Sequence, residues 1–244
     1  LEADETSDVM LDEDGNEIVD DTAAAADVKD NDGLTDEEIA ALEGADGTNV
    51  VTVDTTDLKI NGNLPSDVMN ILLLGIDARE DVTDVGRSDA LMICSINMTD
   101  GSVKLSSILR DTLVSIPGKK NQYKITNAYR FGGAPLTMAT VNQTFQMNID
   151  KFVTINFYGL AAIIDSLGGV DIEMTKTEAS RINYELKKEP LPFDTNPGRD
   201  KVEAVAGVHH LDGMQAVTYA RIRSIKGEND FNRTDRQRKL LETL

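Results

Sequence analysis

The sequence predicts an α/β fold with a mixed central β-sheet flanked by helices. Three observations indicate it: apolar runs of strand length, amphipathic stretches of helical period between them, and one short turn that joins two strands directly. A short turn produces an antiparallel pair, whereas strands separated by a helix favour parallel pairing. The sheet is therefore expected to contain pairs of both kinds.

The first half of the predicted domain is dominated by strands. Apolar runs predict strands at 50–53, 68–76, 90–97 and 103–109. Met98-Thr99-Asp100-Gly101 predicts the hairpin turn between the last two. Pro135 predicts the start of a helix, because proline suits the first helical turn. Met138, Val141 and Phe145 share one face of that helix and are expected to be buried.

The second half alternates strands and helices. Apolar runs predict strands at 151–156 and 170–174. The residues that mark an amphipathic helix between them, ending at Gly168-Gly169, are Phe157, Leu160, Ile163, Ile164 and Leu167. The polar, proline-containing stretch 176–206 is expected to be a long loop. Helices are predicted at 212–220 and from 230 to the end, with Asp230 as a candidate cap.

The acidity of the chain is concentrated near its N-terminus. The formal net charge is -19 at pH 7, and nearly all of it falls within residues 1–66, where Lys29 and Lys59 are the basic residues. Residues 1–48 are predicted to be an acidic, disordered segment or linker, because they have little apolar surface to bury. Asp30-Asn31-Asp32-Gly33 resembles a calcium loop, but Val28 and Ile39 fall where carboxylates are required, so a linker is favoured. The folded domain is expected at 49–244.

Several kinds of catalytic or metal site are excluded or disfavoured. The phosphate-loop, nucleophile-elbow and His-Glu-x-x-His motifs do not occur. His209 and His210 are adjacent and are interpreted as surface or packing residues. Cys94 is the single cysteine, which excludes an intramolecular disulfide, and its apolar neighbours predict a buried, inert thiol.

Charged residues cluster at the ends of the apolar elements. These residues are Asp77, Arg87, Asp89, Arg110, Asp111, Arg221, Arg223, Arg233 and Arg236, together with Gln237. Arg221 and Arg223 share a face if that segment is extended, and Arg233 and Gln237 share a helix face beside Arg236. Arginine forks suit the oxygens of a diphosphate, and carboxylates such as Asp77 and Asp89 suit Mg²⁺. Structural ion pairs are the alternative interpretation of each charged pair.

These segments resemble successive motifs of the LytR-CpsA-Psr family, which has a three-layer α/β domain. The motifs are NILLLGID at 70–77, RSDA at 87–90, SILRD at 107–111, KITNAY at 124–129, DSLGGVD at 165–171, GVHHLDG at 207–213, YARIR at 219–223 and DFNRTDRQR at 230–238. They occur in the family's order, and the resemblance covers roughly 68–244.

The resemblance implies a Mg²⁺-dependent transferase that attaches a polyprenyl-diphosphate-linked glycopolymer, such as teichoic acid or capsule-like polysaccharide, to peptidoglycan. Asp77 and Asp89 match the Mg²⁺-associated acids. The residues that match diphosphate contacts are Arg110, Arg221, Arg223, Arg233 and Gln237, and Arg236 is added to this set. Arg110, Asp111 and Arg87 are expected to serve catalysis, with Arg87 orienting the site and Asp111 acting either as base or by orienting Arg110.

The resemblance also implies the surroundings of the protein. The donor would be the lipid-linked glycan and the acceptor peptidoglycan, at the extracellular face of the bacterial membrane or in the wall, with a membrane anchor upstream of this chain. Leu109 replaces the proline usual in the family, and Val114 replaces a basic residue found in some members. The chain ends at Leu244 where the family domain usually continues, so a truncated C-terminal end is expected.

Three other functions compete with transfer. A non-catalytic module would bind polyprenyl phosphates or glycans without turnover, and a pyrophosphatase would use water in place of the sugar hydroxyl. A transcriptional attenuator is disfavoured, because the nearly neutral domain has no basic patch for nucleic acid.

Overall fold

The computed structural model describes residues 57–76, 88–188, 199–223, 225–227 and 229–244. These residues fall into two compact units that divide between Leu160 and Ala161. The elements in chain order are β1 (Val68–Ile76), β2 (Ser88–Asn97), β3 (Val103–Ile108), β4 (Leu113–Ser115), β5 (Gln122–Lys124), α1 (Asn127–Phe145), β6 (Lys151–Asn156), α2 (Phe157–Ser166), β7 (Val170–Met174), α3 (Lys176–Lys188), β8 (Gly207–Leu211), α4 (Gly213–Arg221) and α5 (Asp230–Thr243). No helix within those ranges is long and apolar enough to cross a membrane.

A four-stranded mixed sheet organises the first unit, with the strand order β3-β2-β1-β6. β2 pairs antiparallel with β1 and β3, and β1 pairs parallel with β6. The short turn after β2 produces the predicted hairpin, and Gly101 occupies it with a φ of 72°, which favours glycine. The predicted mixed α/β class is therefore confirmed. The shorter β4 and β5, which form a separate antiparallel pair, were not predicted.

The core of the first unit lies on one face of this sheet. Leu72 is the register partner of Ile93, and Leu74 is the partner of Leu91. Because side chains alternate between faces along a strand, these four side chains share a face, and all four are buried. They belong to one apolar cluster with residues of α1, among them Leu136. Each such side chain contributes about 1.5–3 kcal/mol by its burial.

Helix α1 begins earlier than predicted and is interrupted. Gly132 and Gly133 have non-helical backbone angles, with a φ of 62° at Gly133. Helical geometry resumes after them, so Pro135 lies in the first turn of the second segment, where a missing backbone donor is tolerated. Met138 and Val141 are buried as predicted. The prediction for Phe145 was wrong: it is the last helical residue and is 40% exposed.

Helix α2 has the predicted bounds but buries less than its sequence indicates. Ile164 is fully buried, whereas Ile163 is 47% exposed and Leu167 is 61% exposed. Two of the apolar residues that mark this amphipathic helix, Ile163 and Leu167, therefore lie largely outside the core. The chain leaves the helix through Gly168 and Gly169, whose φ values are 87° and 100°, as the predicted glycine stop requires.

The second unit contains a helix where a long loop was predicted. Helix α3 occupies the first part of 176–206, and residues 189–198 lie outside the described ranges. Its sequence is mostly polar, with Ala179 and Ile182 supplying the apolar buried side chains. Glu178 in its first turn and Lys187 and Lys188 in its last turn complement the helix dipole. The prediction failed because two buried apolar side chains are too few to produce a recognisable helical periodicity of apolar residues.

The last two helices begin with side-chain caps. Asp212 caps α4 by accepting from the backbone N–H of Gln215, whose side chain accepts in return from the Asp212 N–H. Asn229 caps α5 by accepting from the N–H of Phe231. The predicted cap at Asp230 was therefore one residue late, because Asp230 is the first helical residue.

The burial of Cys94 differs from the prediction, and the predictions for the N-terminal region are not covered by the described residues. Cys94 is half-buried in β2 instead of fully buried, and its partial burial raises the pKa of the thiol. The acidic segment 1–48, the predicted strand at 50–53 and the domain start at 49 lie outside the described ranges. Those three predictions stay predictions.

Candidate functional site

Arg110 and Asp89 meet at one end of the β2–β3 hairpin. Leu91 and Ile108 are register partners in this antiparallel pair. Asp89 lies two residues before Leu91 and Arg110 two residues after Ile108, so the pairing carries both to the same end. Arg110 Nη1 donates to Asp89 Oδ1 over 2.9 Å. The apolar register of the hairpin therefore builds this contact.

Asp111 extends the contact into an alternating row of charges. Its Oδ2 lies 3.8 Å from Arg110 Nε, and its Oδ1 lies 3.1 Å from Lys124 Nζ. The side chains of Arg110 and Asp89 are 28% and 19% exposed, so solutes can reach the pair while part of it is shielded from water. The row therefore contains two cations and two carboxylates, whose formal charges cancel.

Thr126 braces the backbone on both sides of this row; it lies in the KITNAY motif but was not predicted as a site residue. Thr126 is buried, its Oγ1 donates to the Ser88 carbonyl over 2.9 Å, and its N–H donates to the Arg110 carbonyl over 3.3 Å. Thr126 and Lys124 therefore support the site. The positions of both residues follow from the pairing of β4 with β5. Each of these strands has three residues, too few for an alternating apolar pattern to be recognised in the sequence.

The predicted metal pair is described only in part. Asp89 is placed by the structure, whereas Asp77 and Arg87 lie outside the described ranges, so their roles stay predictions. Among the residues that the structure describes, His, Cys, Asp and Glu side chains do not form a group of three or more suited to a metal ion. Ser88, next to Asp89, has a buried Oγ without a hydrogen-bond partner in the described part of the chain.

In the second unit, the segment with Arg221 and Arg223 is not a strand. Arg221 is the last residue of α4, and Ile222 caps that helix. Arg221 is partly buried and Arg223 is exposed. The two arginines therefore flank a helix end, so the extended segment that would put both on one face does not include Arg221.

Three predicted site residues lie on α5 as the helical spacing requires. Arg233 and Gln237 are four residues apart on this helix, with Arg236 between them. Arg233 and Arg236 are each 4% exposed, and Gln237 is partly exposed. Arg233 Nη2 lies 2.5 Å from Asp230 Oδ1, one turn earlier.

Arg236 reaches two other elements of the second unit. Its Nη2 donates to the carbonyl of Ile222 over 2.9 Å, and its Nη1 donates to Glu178 Oε1 over 3.4 Å. The structure thus brings Arg236 to the segment that carries Arg221 and Arg223, but the contact is with the backbone of that segment.

The histidines are surface residues, as the sequence indicated. His209 Nε2 lies 2.9 Å from the Val205 carbonyl. His210 Nδ1 lies 2.7 Å from Asp171 Oδ1, its strand partner, and Nε2 lies 2.9 Å from the Gly168 carbonyl. The hydrogen bond to Asp171, and then that to Gly168, raise the pKa of His210.

Comparison with known proteins places this arrangement in a family. The chain is 36% identical over 178 residues to the polyisoprenyl-teichoic acid–peptidoglycan teichoic acid transferase TagU of Halalkalibacterium halodurans, which covers 73% of this chain. The structure of TagT bound to LI-WTA matches with a TM-score of 0.59, at 30% identity, over 80% of this chain and 66% of that one. TagT (YwtF) with bound octaprenyl pyrophosphate lipid matches with a TM-score of 0.56, at 28% identity, over the same shares of the two chains.

These matches cover only part of the longer relatives. The chain spans about half of the Halalkalibacterium halodurans transferase, 52% of its length. The LytR_cpsA_psr family model matches residues 36–244 of this chain, a stretch that contains every residue of the candidate site. With this match, and with two solved relatives that share its fold, the chain belongs to the LytR-CpsA-Psr family.

Proposed function

We propose that the chain carries a transferase activity that attaches a polyprenyl-diphosphate-linked glycopolymer of the teichoic acid class to peptidoglycan. One observation carries this proposal: the family match over 36–244 contains all the candidate arginines, and its relatives include a transferase of teichoic acid to peptidoglycan. A solved relative with bound octaprenyl pyrophosphate supports a lipid diphosphate as the donor.

The proposed role of the arginines is to bind and polarise the diphosphate. Arg110 suits this role because it is partly exposed and is held by Asp89 and Asp111, so it needs little reorganisation when an anion binds. Arg223 is exposed at the end of α4 and can exchange water for phosphate oxygens. Arg221, Arg233 and Gln237 keep the diphosphate-contacting role that the family resemblance implies.

Magnesium is proposed as the cofactor, held by Asp89 and Asp77. The donor chemistry fits, because Asp89 offers a partly exposed carboxylate, a ligand type that suits Mg²⁺. Mg²⁺ is commonly bound by one or two carboxylates together with substrate phosphates, so a small protein ligand set is sufficient. When bound, the ion would neutralise charge on the phosphate oxygens.

The proposed step is a displacement at phosphorus. A hydroxyl oxygen of a peptidoglycan sugar forms a bond to the glycan-proximal phosphorus, and the bond from that phosphorus to the bridging oxygen breaks. Polyprenyl phosphate leaves with the bonding electrons, and the hydroxyl proton passes to a base. Arg110 stabilises the charge that develops on the transferred group.

Asp111 has two proposed roles in this step. Its contacts with Arg110 and Lys124 support an orienting role, because a carboxylate between two cations fixes both side chains. Its exposure of 47% leaves it accessible to an acceptor hydroxyl, which supports a role as base. An Asp111→Asn variant separates these roles: the amide keeps the size of the side chain between Arg110 and Lys124 but cannot take the proton. A strong loss of kcat at unchanged donor binding supports the base.

The proposed setting follows from the substrates. A lipid-linked donor and a peptidoglycan acceptor place the reaction at the outer face of the cell membrane, in the cell envelope. We further propose that a membrane anchor outside this chain holds it there. Neither proposal involves nucleic acid.

The test is a transfer assay with the 244-residue chain. A polyprenyl-diphosphate-linked sugar and peptidoglycan oligomers are incubated with Mg²⁺ or with a chelator, using the parent, Arg110→Ala, Arg221→Ala and the control Arg238→Ala. Arg238 is matched because it lies on the surface of α5, 34% exposed, in ion pairs with Asp235 and Glu242. Metal-dependent labelling of peptidoglycan, lost in the first two variants and kept in the control, supports the proposal.

The other outcomes identify the competing functions. Tight donor binding without transfer or hydrolysis indicates a binding module. Release of polyprenyl phosphate without acceptor, with equal rates when acceptor is added, indicates a pyrophosphatase. A folded protein that does not bind the donor at all refutes the proposed function.

A further inference from the structure

Arg236 lies at the centre of a buried polar contact that joins three helices of the second unit. Its side chain is 5% exposed and that of Glu178 is 13% exposed. Glu178 belongs to the first turn of α3, Arg236 to α5, and the Ile222 carbonyl to the end of α4. The two contacts use the two terminal nitrogens of one guanidinium, Nη1 and Nη2. Only the planar fork of arginine can hold two acceptors in this way.

Glu178 is itself held rigidly, so it is a fixed anchor for Arg236. Its Oε2 accepts from both the N–H and the Oγ1 of Thr175, each over 2.9 Å. Thr175 Oγ1 accepts in return from the Glu178 N–H over 3.2 Å. This reciprocal pattern leaves Oε1 to Arg236.

The residue that receives the other contact, Ile222, is restrained in three ways. Its side chain is 1% exposed, its N–H donates to the Tyr219 carbonyl over 3.3 Å, and its carbonyl accepts from Arg236. Ile222 is also the single residue between Arg221 and Arg223. Whatever fixes the Ile222 peptide therefore fixes the backbone from which both arginine side chains extend.

We propose that Arg236 is a positioning residue that holds the Arg221–Arg223 segment in place through the Ile222 carbonyl, so that those arginines are preorganised for a diphosphate. The proposal assigns Arg236 a different role from the direct phosphate contact predicted from its sequence position. It rests on the proposed function for its consequence, but the restraint itself is a property of the ligand-free protein. Arg236 is as buried as Arg233, but Arg233 pairs with Asp230 on its own helix, whereas the two contacts of Arg236 reach α3 and the end of α4.

The test compares Arg236→Lys with Arg238→Lys, the same chemical change two residues away on α5. Lysine keeps the positive charge beside Glu178 but cannot hold Glu178 and the Ile222 carbonyl together with one fork. Arg238 is a surface residue with ion pairs on its own helix, so its replacement reports the general effect of the change. Thermal unfolding of each variant shows that it is folded before it is measured.

The first measurement needs no ligand. The backbone ¹⁵N order parameter of Arg223, whose amide belongs to the same peptide group as the Ile222 carbonyl, is expected to fall in Arg236→Lys and to stay at the parent value in Arg238→Lys. An unchanged order parameter at Arg223 in a folded Arg236→Lys protein overturns the proposal.

The second measurement is the dissociation constant of farnesyl diphosphate. We expect it to rise about tenfold in Arg236→Lys, the effect of losing one charged hydrogen bond. Because the residue acts through its neighbours, the rise is expected to shrink to about twofold in an Arg221→Ala, Arg223→Ala background. A rise of equal size in both backgrounds indicates direct phosphate contact and overturns positioning.

The two measurements separate the two claims. If the parent protein does not bind farnesyl diphosphate, the proposed function fails, and the order parameter at Arg223 alone decides whether Arg236 positions the segment. If the parent binds and the order parameter is unchanged in Arg236→Lys, the proposed function stands and the positioning role fails.

Discussion

Arg110 donates to Asp89 across the end of the β2–β3 hairpin, with 2.9 Å between Nη1 and Oδ1. The arginine assigned to the diphosphate and the acid assigned to Mg²⁺ are therefore direct partners. Each holds the other in place, and each carries the charge that its own proposed ligand requires. Removing the charge of one, while keeping its hydrogen bond, separates geometry from electrostatics.

We expect Asp89→Asn to lower Mg²⁺-stimulated transfer about 10²-fold, the usual effect of removing one preorganised electrostatic group. The amide oxygen can still accept from Arg110, so the arginine stays in place, but the neutral group binds Mg²⁺ poorly. The measurement is the rate of transfer as a function of Mg²⁺ concentration, with farnesyl diphosphate binding measured in chelator. Parent-like Mg²⁺ dependence in the variant would show that Asp89 is not a metal ligand.

Asn142 on α1 satisfies two buried segments with one side chain. Its Nδ2 donates to the carbonyls of Leu58 and Ile149, over 2.7 and 2.8 Å, and its Oδ1 accepts from the Ile149 N–H over 2.9 Å. Asn142 is fully buried, so these backbone groups have no access to water when the amide is removed.

We expect Asn142→Leu to lower the free energy of unfolding by about 3 kcal/mol or more, because each buried backbone group left unpaired costs about 1–3 kcal/mol. Urea unfolding followed by circular dichroism measures the change. Gln143→Leu is the matched control, since Gln143 is the exposed neighbour and its side-chain amide donates to the Ser115 carbonyl over 3.3 Å. Equal midpoints for the two variants would contradict the structural role of Asn142.

The sequence predicted those elements whose apolar pattern is strong. β1 is a continuous apolar run between β2 and β6, and its predicted bounds were confirmed. Helix α3 was missed because its buried stripe is narrow and includes Arg181, which is 8% exposed and paired with Glu185. A charged residue counts as polar in any periodicity, so a helix that buries one looks like a loop.

The site was predictable to the extent that it follows from strand register. The short turn after β2 implies that residues flanking the hairpin meet, which brings Asp89 to Arg110. The contact of Arg236 with Ile222 depends instead on the packing of α5 against the end of α4. Sequence spacing groups Arg236 with its helical neighbours and contains no signal for a backbone partner 14 residues away.

Gly213, the first residue of α4, lies against the backbone of Ala161 in α2. A Cβ at Gly213 would lie 2.1 Å from the Ala161 carbonyl oxygen and 2.7 Å from its carbon. Asp165 Oδ1 also accepts from the Gly213 N–H over 2.7 Å, which holds the two helices together. We expect Gly213→Ala to lower the free energy of unfolding by about 3 kcal/mol, at the upper end of overpacking effects.

The control for Gly213→Ala is Gly62→Ala, because a Cβ at Gly62 meets no atom within 4 Å. We expect that substitution to leave the urea midpoint nearly unchanged. A second measurement tests the hydrogen bond between the helices. Because Asp165 accepts from the Gly213 N–H, amide exchange at Gly213 is expected to accelerate in an Asp165→Ala variant. A Gly213→Ala protein as stable as the parent would mean that α2 and α4 can separate at no cost, contrary to their close approach.

His210 joins the turn after α2 to strand β8 through both ring nitrogens. Asp171 Oδ1 and the Gly168 carbonyl are both acceptors, so both contacts are hydrogen bonds only when Nδ1 and Nε2 each carry a proton. The bond to Asp171, followed by that to Gly168, raises the pKa of His210 above its ordinary value of 6.5. The protonated ring is therefore the form that holds the turn.

Because the pKa of His210 is raised, the stability that its hydrogen bonds contribute is expected to decrease as pH rises. A group whose pKa is higher in the folded protein contributes stability that is complete below the unfolded value and is lost as pH rises through the folded value. We expect the protection factor of the Gly169 amide, its exchange rate relative to the intrinsic rate at the same pH, to be highest below the ordinary pKa and to fall as pH rises through the higher pKa of the folded protein. The effect is modest and decreases with added salt, because His210 is exposed.

The measurement is the pH titration of the His210 ring signals by NMR, in the parent and in Asp171→Ala. We expect the midpoint to fall in the variant towards the ordinary histidine value, because the largest cause of the shift is removed. Glu173→Ala is the matched control: Glu173 is exposed on the same strand and faces Val208 instead of His210. If both variants titrate like the parent, Asp171 does not hold the imidazolium.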